Sequence, residues 1–151
     1  MVTRFVSKTI ELPPAVADGA YARADLIFYG VDHSLASYEG RVYINRPRAD
    51  ATTGREDAAY AGSFHIFGHG GCFGDAGHCD LPTGPRDPFD RRPAHQLTPA
   101  TKAVIVTDAL KRILASATSK TQITVTVVAV APGKESNDYL QFDQLRLVTY
   151  R

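Results

Sequence analysis

Hydrophobic and polar residues alternate in short stretches along this chain, with Gly, Pro or Asp between one stretch and the next. The clearest stretch is 121–130, where Ile123, Val125 and Val127 alternate with threonines. A period of two is typical of a half-buried β-strand. Further stretches rich in β-branched and aromatic residues occur near the amino terminus, near the carboxyl end and at 24–31, 40–45, 62–67 and 102–107. About seven such strands predict an all-β fold, an antiparallel β-sandwich.

One stretch has a helical period instead. Residues 107–116 place apolar side chains three and four positions apart, which predicts an amphipathic helix. The apolar stripe consists of Leu110, Ile113 and Leu114. Thr107 or Asp108 is expected to cap it. Because a helix of roughly two turns is unstable alone, we expect it to pack against the sandwich. Residues 46–60 and 80–100 are predicted loops, the second holding five of the nine prolines.

Length and charge restrict the classes of function. The 151 residues, 44% of them hydrophobic, suit one domain over 1–151. A net charge of +1, from 17 basic and 16 acidic residues, argues against a nucleic-acid partner. The sequence has neither a membrane-length apolar stretch nor a secretory signal, which predicts no membrane partner and a cytoplasmic protein, unless the chain is a piece of a larger one. Exposed edge strands leave a homo-oligomer open.

The richest local chemistry lies within residues 62–80, which contain three of the five histidines and both cysteines. Imidazole and thiolate are ligands that zinc and copper prefer. Five glycines lie among them, so the glycine-rich loop (residues 68–80) could fold its donors toward one ion. This pattern predicts a metal site for copper, with zinc as the alternative. The predicted ligands are His65, His69, Cys72, His78 and Cys79.

Two other interpretations of the loop stay open. The spacing of its donors matches no standard zinc signature. Cys72 and Cys79 could instead close a disulfide, which would stabilise the fold by about 2–3 kcal/mol through chain entropy. In the third interpretation the histidines and cysteines are free residues of an ordered loop.

The rest of the chain offers weaker candidates. His33 follows a predicted strand and is expected to form a local hydrogen bond with Asp32 or Ser34. His95 lies in the proline-rich segment (residues 80–100) and is expected to be solvated. No nucleophile elbow, phosphate-binding loop or dinucleotide fingerprint occurs, and no acid–base pair stands out. The sequence therefore predicts no catalytic residues and no enzyme activity.

The order of several segments carries a family resemblance. The chain reads AGSFHIFGHG, then LTPATKAVIVTDALKRILA, then TQITVTVVAV. This order resembles the C-terminal β-sandwich domain that follows the catalytic domain in plant polyphenol oxidases and bacterial tyrosinase-like proteins, which are type 3 copper proteins. The earlier segment ADLIFYGVDHSLASYEGRVYINRP is similar to the bacterial version. The resemblance covers roughly residues 23–150.

The resemblance implies a β-sandwich packed over the entrance of a dicopper site. It implies shielding of that site, help with folding and, in some relatives, help with copper loading. Shielding in this family uses an inserted side chain, for which Phe67 and Phe73 are candidates here. The plant domains generally lack the His and Cys cluster, so a metal role is not implied by them. A type 3 centre needs three histidines for each of two coppers, and five histidines cannot form it alone.

The leading hypothesis is therefore a non-catalytic accessory domain of a tyrosinase-like copper oxidase. It would act on the oxidase catalytic domain in cis or in trans, by shielding the active site, by delivering Cu(I) from the glycine-rich loop as a metallochaperone, or by both. One alternative is a structural interaction domain with a Cys72–Cys79 disulfide. Another is a small zinc- or copper-binding protein that acts independently.

Overall fold

The computed structural model describes residues 4–71, 73–133 and 140–151. In chain order the elements are β1 (Arg4–Val6), β2 (Ile10–Glu11), α1 (Pro14–Ala17), β3 (Arg23–Val31), β4 (Tyr38–Ile44), β5 (Tyr60–Ile66), β6 (Ala100–Ile105), α2 (Thr107–Ser116), β7 (Gln122–Ile123), β8 (Val125–Val130) and β9 (Gln144–Tyr150). Neither helix among these residues is long and apolar enough to cross a membrane.

The strands form two main antiparallel sheets. One has the order β1-β8-β4-β5 and the other β6-β3-β9, while β2 and β7 pair separately. Seven strands of the described part of the chain thus belong to the two main sheets. The predicted all-β, antiparallel sandwich is confirmed. The predicted first strand is interrupted, because its two halves, β1 and β2, pair with different strands.

Aromatic side chains join the two sheets in the core. Phe28 on β3 meets Phe64 on β5 with ring centroids 4.9 Å apart, and both side chains are buried. Phe142, just before β9, packs edge-on against Phe28 at 5.3 Å and against Phe5 on β1 at 4.8 Å. Offset and edge-on aromatic pairs at these distances are favourable beyond the apolar area they bury. The core therefore connects both main sheets through four phenylalanines.

Strand β8 is buried on both faces. The alternation predicts Val125 and Val127 on the core side, and both are fully buried there. Val128, on the opposite face, is also buried and packs with Tyr43 and Ala49. Residues 46–60 fold back over this face, and the hydroxyl of Tyr43 donates a hydrogen bond to the carbonyl of Thr53 at 2.6 Å. The outer face of this sheet is therefore covered by a predicted loop.

Helix α2 has the predicted bounds, and its apolar stripe is buried against the sandwich. The predicted cap is wrong, because Val106 occupies the N-cap position and no side chain caps the helix. Thr107 Oγ1 instead accepts a hydrogen bond from the backbone N–H of Ala24 at 3.0 Å. The hydroxyl therefore links the helix start to β3. A short helix, α1, begins with Pro14 and does not follow from the periodicity.

Candidate functional site

The carboxyl end of β5 sets the direction of the glycine-rich loop. Phe64 and Ile66 are buried, while His65 and Phe67 are exposed, as the period of two predicts. His65 lies opposite Glu39 of β4 in the register of the two strands. The strand ends at Ile66, so Phe67 and the loop that follows project beyond the sheet.

The start of the glycine-rich loop is hydrogen-bonded to the 32–37 loop (residues 32–37, between β3 and β4). Gly68 requires its lack of a side chain, because a Cβ there would collide with the backbone of Leu35 and Ala36. Gly70 has a φ of 70°, in the left-handed region that glycine adopts readily. The four hydrogen bonds are Gly68 N–H to Ser37 Oγ at 3.0 Å, His69 N–H to His33 O at 3.0 Å, Gly70 N–H to Leu35 O at 2.8 Å and Gly71 N–H to Ser34 O at 2.8 Å. The two loops therefore form one connected unit.

This unit brings two imidazoles together. The rings of His33 and His69 have centroids 5.4 Å apart and planes inclined by 52°. The local hydrogen bond predicted for His33 is wrong, because its Nε2 is bonded to the carbonyl of Thr98 at 2.9 Å. Asp32 instead accepts hydrogen bonds from the N–H and hydroxyl of Ser34. His33 therefore connects the 32–37 loop to the end of the proline-rich segment.

His95 is ordered by two hydrogen bonds, so the expectation that it is merely solvated is wrong. Its Nε2 donates to the carbonyl of His78 at 3.0 Å. Its Nδ1 accepts from the backbone N–H of Leu97 at 3.1 Å. A ring that donates at one nitrogen and accepts at the other is the neutral imidazole. His95 therefore connects the glycine-rich loop to the proline-rich segment.

The cysteines are the chemical feature that distinguishes the interpretations of the loop. Cys79 is disulfide-bonded. The chain has one other cysteine, Cys72, which lies outside the described residues. His78 Nδ1 is 3.6 Å from Cys79 Sγ. A sulfur in a disulfide is not a thiolate, the form that binds a soft metal. The structure therefore favours the disulfide interpretation for Cys79.

The predicted metal ligands are distributed over three places. His65 is on β5, His69 is beside His33, and His78 is next to Cys79. Within residues 4–71, 73–133 and 140–151, no group of three or more His, Cys, Asp or Glu side chains is placed to hold a metal ion. The five-residue copper or zinc site stays a prediction, and it concerns the reduced protein.

Three exposed phenylalanines lie on or next to the two loop segments. Phe67, Phe73 and Phe89 have 89%, 79% and 91% of their surface accessible. Phe67 directly precedes the glycine-rich loop, Phe73 lies within it, and Phe89 lies in the proline-rich segment. Phe89 is not predicted from the sequence, because its charged and proline neighbours show no hydrophobic period. The one sequence feature that indicates it is a large apolar residue isolated in a polar loop.

An ion-pair network lies beside this region on β4. Glu39 accepts hydrogen bonds from Arg41 at 3.0 Å and from Arg55, and its side chain is only 11% exposed. Burial alone would raise the pKa of Glu39, but the hydrogen bonds from Arg41 and Arg55 lower it, and the net pKa lies below the ordinary value. Glu39 is therefore ionised and holds residue 55 of the 46–60 loop against the sheet.

Comparisons with known proteins give structural relatives only. No protein family and no curated protein matched the sequence. Two solved structures of a latent aurone synthase (polyphenol oxidase), one from natural source and one recombinantly expressed, each match with a TM-score of 0.55. Their identities are 16% and 15%, and each match covers 97% of this chain and 24% of that one. The chain thus spans about a quarter of these relatives and shares the fold of that part of a polyphenol oxidase.

Proposed function

We propose that this chain is a non-catalytic accessory domain of a tyrosinase-like copper oxidase, equivalent to the C-terminal domain of those proteins. It covers the entrance to the dicopper site of a catalytic domain, in cis or in trans. Its likeness to a quarter of a latent polyphenol oxidase supports this assignment. The five histidines support it too, because they are too few for a type 3 copper centre.

The observation that carries the proposal is the set of exposed rings of Phe67, Phe73 and Phe89. Aromatic side chains are enriched among the residues that carry most of the binding energy at interfaces. Single exposed apolar side chains are common on soluble proteins, whereas a contiguous exposed apolar patch marks an interaction site. Here the hydrogen bond between His95 and the carbonyl of His78 links the two segments. The proposal is that the linked segments present these rings to one partner.

The chemistry of shielding needs only these rings. A phenyl group inserted into the mouth of an active site displaces water and occupies the space that a phenolic substrate would use. Phe67 is the leading candidate for this insertion, because it directly follows β5 and is held by the rigid strand on one side. Phe73 lies farther along the glycine-rich loop and would contact the rim.

Copper delivery is the second candidate, and it is restricted to the reduced protein. Reduction would restore the thiolates that the predicted Cu(I) site requires. Titration of the reduced chain with Cu(I) tests it. Absence of stoichiometric uptake rejects the delivery role, as does uptake that is unchanged when both cysteines are replaced by serine. The shielding role is independent of that result.

The shielding role is tested by turnover. A separate type 3 copper catalytic domain is titrated with the oxidised chain, and phenol oxidation is followed. We expect the rate to fall as the complex forms. The variants Phe67→Ala, Phe73→Ala and Phe89→Ala are expected to restore it, with the largest effect at Phe67.

The matched control is Tyr150→Ala, which removes an exposed aromatic ring at the end of β9. We expect this variant to inhibit as the native chain does. An oxidation rate that does not respond to the native chain would reject the proposal. So would equal effects of the Phe67 and Tyr150 variants.

A further inference from the structure

We propose that His33 and His69 form a two-imidazole binding site for a late divalent transition-metal ion, with Cu(II) bound most tightly. The site differs from the cysteine-containing set predicted from the sequence, with which it shares only His69, because it needs no thiolate and includes a histidine from another loop. It does not depend on the proposed shielding function.

The backbones of the two histidines are held in fixed positions. They belong to loops that are 36 residues apart in sequence, yet the N–H of His69 donates to the carbonyl of His33 at 3.0 Å. The neighbouring bonds from Gly68, Gly70 and Gly71 hold the same two loops together. Both backbones are therefore positioned before any ligand arrives, which reduces the entropy lost on binding.

The His33 ring is oriented by a hydrogen bond. Its Nε2 faces the carbonyl oxygen of Thr98 at 2.9 Å. A carbonyl can only accept, so Nε2 carries a proton, and in the neutral ring Nδ1 is the nitrogen with a lone pair for a metal. Histidines that bind metals usually donate their other ring N–H to a carboxylate or a backbone carbonyl, which fixes the tautomer and the ring orientation. His33 already has this arrangement.

The separation of the two rings is suited to one shared ion. A metal–nitrogen bond of about 2.0–2.1 Å places the ion about 3 Å from the centre of each imidazole. Ring centres then lie about 4.5 Å apart for the right-angled ligands of tetragonal Cu(II) and about 5 Å apart for tetrahedral ligands. The observed separation of 5.4 Å is within about 1 Å of both values. His69 is exposed, so its ring can rotate to turn a nitrogen toward the ion.

Ligand chemistry selects the ion. Imidazole suits zinc, nickel and copper, and divalent affinity in a nitrogen site rises to Cu(II) in the Irving–Williams order. The carboxylate of Asp32 is engaged by Ser34, and within the described parts of the chain no third His, Cys, Asp or Glu joins the pair. Water would therefore complete the coordination, and the site would be open to exchange.

The test uses the oxidised chain, alkylated so that no free thiol contributes. Cu(II) and Zn(II) are titrated separately by calorimetry, and bound Cu(II) is examined by electron paramagnetic resonance. We expect one ion for each chain, two coordinating imidazole nitrogens, and tighter binding of Cu(II) than of Zn(II). His33→Gln and His69→Gln should each weaken binding at least tenfold. The glutamine amide at 33 can still donate to Thr98, which protects the fold.

Matched controls are His65→Gln and His78→Gln, which change the other histidines of the region and should leave the affinity unchanged. Thermal melting confirms that each variant is folded. Three results would overturn the proposal: no stoichiometric uptake, uptake unaffected by both His33→Gln and His69→Gln, or uptake that is lost with His65→Gln or His78→Gln. No oxidase is present in this experiment, so its failure leaves the shielding proposal intact.

Discussion

Phe28 and Phe64 pack against each other across the two main sheets, with ring centroids 4.9 Å apart. Phe64→Ala should destabilise the chain by about 3–5 kcal/mol, because it removes a buried ring and leaves a cavity between the sheets. Chemical denaturation measures this change. Phe67→Ala is the matched control, since Phe67 is three residues away and exposed. A loss of stability at Phe67 as large as that at Phe64 would show that the outward ring is part of the core.

Glu39 should make the chain less stable in acid. Its pKa is lower in the folded chain than the ordinary value of 4.5, which is that of the unfolded chain. Its stabilising contribution is therefore complete above about pH 5 and is lost as the pH falls through the folded-state pKa. Glu39→Gln should cost about 1–3 kcal/mol at neutral pH, because hydrogen bonds to a charged group are lost. The titratable or charged neighbours of Glu39 are Arg41, Arg55 and the cross-strand His65.

Denaturation of the native chain and the variant at several pH values checks this prediction. The difference in free energy of unfolding should shrink below the ordinary pKa and disappear in strong acid. Glu56→Gln is the control, because Glu56 is exposed on the 46–60 loop, next to Arg55. A difference that stays constant down to strong acid would contradict the assigned role of Glu39.

The disulfide at Cys79 should be detectable by mass spectrometry. Intact mass measured with and without reductant should differ by the mass of two hydrogen atoms. Reduction, or Cys79→Ser, should lower the stability by about 2–3 kcal/mol if the eight-residue loop from 72 to 79 is closed in the native chain. Identical masses under both conditions would disprove the bond and return both sulfurs to the list of metal ligands.

His95 should control local opening of the glycine-rich loop. His95→Ala removes the donor to the carbonyl of His78, a bond with a net value of about 0.5–1.5 kcal/mol. The amides of His78 and Asp80, which are hydrogen-bonded within the loop, should then exchange about 2- to 10-fold faster. Hydrogen exchange measures this, with His65→Ala as control. Equal exchange in both variants would show that His95 does not hold the loop.

Strands and helix follow from the sequence where the local period decides the structure. Residues 62–66 alternate, and Phe64 and Ile66 are buried as that pattern requires. The bounds of α2 follow in the same way from its apolar stripe. In both cases the side chains that determine the element are neighbours in sequence, so a single stretch contains the information.

The site is less predictable because its contacts join distant segments. His33 bonds to Thr98, 65 positions along the chain, although Asp32 and Ser34 are its neighbours. No periodicity encodes that contact, which depends on how the 32–37 loop meets the proline-rich segment. The composition of the glycine-rich loop indicates sulfur and imidazole chemistry there, but only geometry separates a disulfide at Cys79 from a thiolate.

The most direct measurement of the central proposal is photo-cross-linking from position 67. Phe67 is replaced by benzoylphenylalanine, the chain is joined to or mixed with a type 3 copper catalytic domain, and the adducts are mapped by mass spectrometry. The proposal predicts adducts with residues at the mouth of the dicopper site, and fewer of them when a substrate analogue occupies that site. Adducts confined to a remote face of the oxidase, or none at all, would contradict it.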